Sequence, residues 1–175
     1  MAATPSEWAN AYLSQARVDL AAAALLAEHR GPRSVLAMLL QMVFEKLAKA
    51  ALLRQGAVHV SWATTSHAAA RGLVRALRVQ RPLLQPIGGR EAWRSALDLV
   101  DELERAHPQL AADGAPRLEY PWEDSSSLVR WPEQHLPLLR HLEPTSTRGA
   151  QLLKFARMLE QRFDQVFPPR ETSVS

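Results

Sequence analysis

Glu45, Lys46 and Lys49 fall within about one helical turn of the stretch QMVFEKLAKAAL, beside the apolar run Val35–Phe44. Two lysines on one strip supply the cations that a phosphate-binding surface needs, and Gln41 extends the same line. The spacing has a plainer meaning too. Glu45 stands four residues ahead of Lys49, the favourable order for an exposed helical ion pair contributing about 0.2–0.5 kcal/mol. The strip therefore reads either as a phosphate-binding seam or as a solvated or dimer-facing face.

Other chemistry is sparse. Cysteine is absent, which removes disulfides, thiol catalysis and thiolate metal sites and suits a reducing compartment. Glu133, His135 and His141 lack a metal-ligand spacing, so no metal or other cofactor is assigned. Gly88-Gly89-Arg90 has neither the lysine nor the glycine spacing of a P-loop, and no serine sits in a nucleophile elbow. Tyr120, Trp122 and Trp131, flanked by Arg117 and Arg130, can stack on a base or seal a hairpin against the rest of the fold. Glu119, Glu123 and Asp124 oppose phosphate in that segment.

The elements that must position these residues are helical. The chain has 175 residues, 47% hydrophobic and 22% charged, the size and balance of one globular domain. Eighteen of its 21 basic residues are arginine, since lysine occurs only at 46, 49 and 154. That bias suits phosphate contact and equally suits a GC-rich genome. The formal net charge of +3 is too small to establish nucleic-acid binding by itself. The first residues have no basic and apolar signal-peptide pattern, and the longest apolar run is too short to span a bilayer. Cytoplasm, with no membrane association, is the expectation.

Thr4-Pro5-Ser6-Glu7 opens a helix through a capping box. Trp8, Tyr12, Ala16, Leu20, Ala23 and Ala27 then mark its apolar face. A second helix over 33–55, apolar nearly all round in its first half with Leu39 among its buried residues, reads as the buried centre, with Gly56 ending it. VSWATTS reads as a loop before a third helix at 67–79. RPLLQPIGG is irregular. A fourth helix at 90–106 points Trp93, Leu97, Val100 and Leu103 inward and Asp98, Asp101, Glu102 and Glu104 outward. Residues 107–134 lack helical period and contain two short strands around EDSS; HLPLLRHL offers at most a short helical turn. The last helix runs over 146–166. The prediction is an all-α antiparallel bundle of four to five helices, with a small β-hairpin-like insertion near 117–131. It forms one domain over 1–167, followed by a loose tail at 168–175.

FEKLAKAALL, preceded by a helix carrying Trp8, Ala16 and Asp19-Leu20 and followed by TSHAAARGLV, resembles the HEPN family (higher eukaryote and prokaryote nucleotide-binding domain). Glu45-Lys46, Lys49-Ala50 and the Thr/Ser-His start at His67 carry the resemblance, which covers roughly residues 5–80. It implies a bundle, often homodimeric, that binds a nucleotide, RNA or a partner protein. It also implies a place in toxin–antitoxin or phage-defence systems, sometimes beside a nucleotidyltransferase-type partner. Lys46, Lys49 and His67 are then the nucleotide-binding candidates.

RNases of that family carry an arginine followed four to six residues later by a histidine, one holding the scissile phosphate and the other moving a proton without a metal. Arg130…His135 and Arg54…His59 fit the spacing, a number that residue frequencies alone would produce. Arg130 and His135 lie nearer the C-terminal helices, as the family has them, and are the catalytic candidates. Trp131 and Pro132 between them depart from its pattern. The alternatives are thus a metal-independent endoribonuclease using Arg130 and His135, a non-catalytic ligand-binding module, and a structural homodimer.

Overall fold

A computed structural model of the protein describes residues 3–77, 89–107 and 118–169. The capping box is formed as the sequence predicts. Thr4 Oγ1 accepts from the Glu7 amide at 3.2 Å, and Glu7 reaches back to the Thr4 amide at 2.6 Å. Helix α1 then runs over Pro5–Glu28. After a four-residue connection α2 covers Arg33–Arg54. The pairs Arg54–Asn10, Lys49–Tyr12 and Lys46–Asp19 descend α2 while they ascend α1, so the two helices are antiparallel.

Helix α2 is the centre of the bundle, packed against α1, α4 (Ala69–Leu77), α5 (Arg90–Arg105) and α7 (Thr147–Gln161). Leu40, Val43, Phe44, Leu47, Ala48 and Ala51 are buried along it. Phe44 stacks on Phe155 at 5.7 Å between ring centres, and Trp93 meets the same ring edge-on at 5.3 Å. Such offset and edge-on pairs match the quadrupoles of the rings. The burial is not all-round, however. Val35 stays 40% exposed and Leu39 is only partly buried, because the covering elements reach the Leu36, Leu40 and Val43 side of the helix.

Three further departures have local causes. VSWATT folds as a short helix, α3 (Val60–Thr65), where a loop is predicted. Its buried Ala63 packs with Ala9 and Leu53, and Ala63 accepts a hydrogen bond from Tyr12 Oη at 3.0 Å. Glu104, predicted on the wet side of α5, is buried at 1% exposure. The last helix breaks at Arg162, and a short α8 (Phe163–Val166) turns Phe163 and Val166 inward.

Between α5 and α7 the all-α pattern is interrupted only by a minimal antiparallel hairpin among the described residues. Strand β1 (Trp122–Glu123) pairs with β2 (Val129–Arg130), Trp122 opposite Arg130. Asp124 organises its tip, accepting from the Ser126 and Leu128 amides at 2.8 and 3.1 Å. The four-residue helix α6 (Pro132–His135) and a 3₁₀ helix over Pro137–Leu142 follow, the latter burying Leu138, Leu139 and Leu142. Arg117, Gly88, the end of the predicted third helix and most of the predicted tail lie outside the described residues. No helix among those described is long and apolar enough to cross a membrane.

Candidate functional site

The Gln41–Glu45–Lys49 strip faces inward. Gln41, Glu45 and Lys49 are all buried within one copy of the chain, so the strip is neither a solvated face nor a surface awaiting a second copy. The strip turns inward because α2 is enclosed at this level by α1, α4 and α5. Burying a charge is costly unless it is paired, and both charges here are paired. Glu45 Oε1 lies 2.7 Å from Lys49 Nζ, and Glu45 Oε2 accepts from Gln41 Nε2 at 3.0 Å. Lys49 also lies 5.4 Å from the centre of the Tyr12 ring, over its electron-rich face.

Two histidines complete the cluster. His67, in the turn before α4, places Nδ1 3.4 Å from Glu45 Oε1. His107, just beyond α5, stacks on His67 with ring centres 4.5 Å apart and planes within 17°. Ligand atoms of Glu45, His67 and His107 all lie within 4.8 Å of one another. Three separated stretches of chain therefore converge on one carboxylate.

The electrostatics follow from burial and neighbours. Burial pushes the Glu45 carboxyl upward, but Lys49, the Gln41 amide and His67 outweigh it and hold the group below its ordinary value. Burial is the main cause that depresses the His107 imidazole, and the adjacent His67 depresses it further against the pull of Glu45 and Glu119. Burial, reinforced by Glu45, raises the Tyr12 phenol. The cluster thus pairs an ionised carboxylate with an imidazole biased to its neutral form.

Of the three predicted binding residues, the fold brings Lys49 and His67 to this carboxylate and turns Lys46 elsewhere. Lys46 Nζ lies 2.5 Å from Asp19 Oδ2, and Gln15 Nε2 donates to the other Asp19 oxygen at 3.0 Å. Sequence spacing missed His107, forty residues beyond His67 and at the edge of a segment with no helical period. Asp19 was legible only as part of a family pattern.

Arg130 and His135 are each held by their own local structure. Arg130 Nε lies 2.7 Å from Asp124 Oδ2, which clamps it across the hairpin. His135 Nδ1 accepts from the Trp131 amide at 3.2 Å, and its ring meets the Trp131 indole edge-on at 4.3 Å. Trp131 itself is 44% exposed, so it packs edge-on against His135 and does not seal the hairpin onto the bundle. In the second pair, Arg54 is bound to Asp164 and lies over the Phe163 ring, while His59 precedes α3.

A cleft of about 730 Å³ opens where α1 meets α2, walled by Leu36, Leu40, Leu142 and Leu153. On its rim Arg33 bridges Glu133 and Glu143 at 2.9 Å each. The chemistry therefore concentrates at Glu45, Lys49, His67 and His107. Compared with known proteins, the chain matches no family model, no curated sequence and no solved structure.

Proposed function

We propose that the chain is a HEPN-like helical module that binds a phosphate-bearing ligand, a nucleotide or RNA, where Lys49, His67 and His107 meet Glu45. The observation carrying this reading is the convergence itself: a buried ammonium and two imidazoles, from three separate stretches, around one carboxylate. A core built only for stability gains little from such a set, because desolvating ions opposes their attraction. An arriving phosphate competes with Glu45 for the Lys49 ammonium, and the imidazoles add donors in a site of low dielectric. The resemblance around residues 45–50 supplies the setting: toxin–antitoxin or phage defence in the cytoplasm, as a homodimer or beside a nucleotidyltransferase-type partner.

Thermal unfolding with ATP, GTP or a short RNA tests the reading, since a ligand specific for the folded state raises Tm by mass action. The wild type should gain stability, and both Lys49→Met and His107→Ala should lose that gain. A Tm rise that both variants retain places the ligand elsewhere.

A further inference from the structure

We infer that Glu45, His67 and His107 form a binding site for one divalent transition-metal ion of the zinc or ferrous class. The donor set is two imidazole nitrogens and one carboxylate oxygen, drawn from α2, the turn before α4 and the end of α5. Two histidines and a carboxylate hold zinc with one position left for water or substrate, and the same triad with open positions suits ferrous iron. Magnesium asks for oxygen ligands in an octahedron and fits poorly.

The distances are close to those a metal imposes. Ligand atoms about 2.0–2.1 Å from a tetrahedral ion lie about 3.3 Å from one another. His67 Nδ1 and Glu45 Oε1 are already 3.4 Å apart. Ligand atoms of all three residues lie within 4.8 Å of one another, so the site must contract for one ion to take all three. His67 and His107 are stacked nearly parallel, so their in-plane lone pairs converge on one ion only once a ring turns. Gln41 donates to Glu45 Oε2 and so orients the carboxylate from behind, the task outer hydrogen bonds perform around metal ligands.

Lys49 is the competitor. Its ammonium sits 2.7 Å from the same Glu45 Oε1 that the metal would take. Its flexible stem lets the charge withdraw from Glu45, with the face of Tyr12 beside it at 5.4 Å. Metal entry thus exchanges one cation for another at Glu45 and frees Lys49 for an anionic ligand. The inference does not rest on phosphate binding, since metal ions alone test it.

Untagged protein is titrated with Co²⁺, followed by visible d–d absorption, and with Zn²⁺, Fe²⁺ under anaerobic conditions, and Mg²⁺, followed by calorimetry. One equivalent of Co²⁺ and of Zn²⁺ or Fe²⁺ should bind, and Mg²⁺ should not compete. His67→Ala and His107→Ala should each weaken binding by more than the roughly 10–100-fold that losing an outer hydrogen-bond partner costs. Lys49→Met, which removes the competing charge, should strengthen it. Circular dichroism establishes that each variant is folded. Absence of stoichiometric binding to the wild type overturns the inference, as does full-strength binding to both folded histidine variants.

Discussion

Lys46 and Asp19 join α2 to α1 through an ion pair of 2.5 Å from which water is largely excluded. Removing one member leaves the other charged and buried, which typically costs about 3–5 kcal/mol. Asp19→Ala should therefore lower the free energy of denaturant unfolding by that order. Asp19→Leu combined with Lys46→Met should recover much of the loss. Equal losses in the single and double variants would show that the cost does not come from leaving Lys46 unpaired.

The two faces of α2 predict different costs for the same substitution. Leu40 is 1% exposed, whereas Leu39 is partly buried at the edge of the core. Leu40→Ala should cost about 2–5 kcal/mol, as buried leucines do, and Leu39→Ala distinctly less. Chemical denaturation of both variants checks the order.

Gly149 permits the close approach of α7 to the 3₁₀ helix. A Cβ at this position would lie 2.5 Å from the His141 carbonyl oxygen. Alanine normally favours a helix over glycine by about 1 kcal/mol. Here backbone meets backbone, and overpacking of this kind costs about 1–3 kcal/mol. Gly149→Ala should lower Tm despite its better helix propensity.

Glu133 predicts a pH dependence. Burial pushes its carboxyl up, but the Ser34 amide, the Arg33 side chain and the Arg33 amide outweigh that and bring it down to about 2 from the ordinary 4.5. A carboxyl lowered on folding stabilises the folded state fully above its unfolded value, and the contribution fades as pH falls through its folded value. Glu133→Gln should therefore be less stable than wild type at pH 6. The gap should narrow between about pH 4.5 and pH 2, as thermal melts across that range would show.

Helix type and the main core were readable from the sequence because local physics governs both. The capping residues Thr4 and Glu7 act over three positions, and the periodic apolar residues of α1, α5 and α7 need only one covering surface. The inward turn of Gln41, Glu45 and Lys49 was not readable. A lysine four residues after a glutamate looks alike whether wet or buried, and only the enclosure by α4 and α5 decides. His107 joins the site through tertiary convergence, which no spacing along the chain records. VSWATT became a helix through packing of Ala63, overriding residues with little intrinsic preference for it.

The start of α2 is capped by a residue far along the chain. Pro32 offers no side-chain cap, and Glu133 accepts from the amides of Arg33 and Ser34 at 3.2 and 2.8 Å instead. Glu133 lies 99 positions after Ser34. During synthesis at about 5–20 residues per second, it follows Ser34 by roughly 5–20 s. For that interval the Arg33 and Ser34 amides lack this acceptor. The first turn of α2 is therefore completed by the segment that carries the hairpin and not by its own neighbouring sequence.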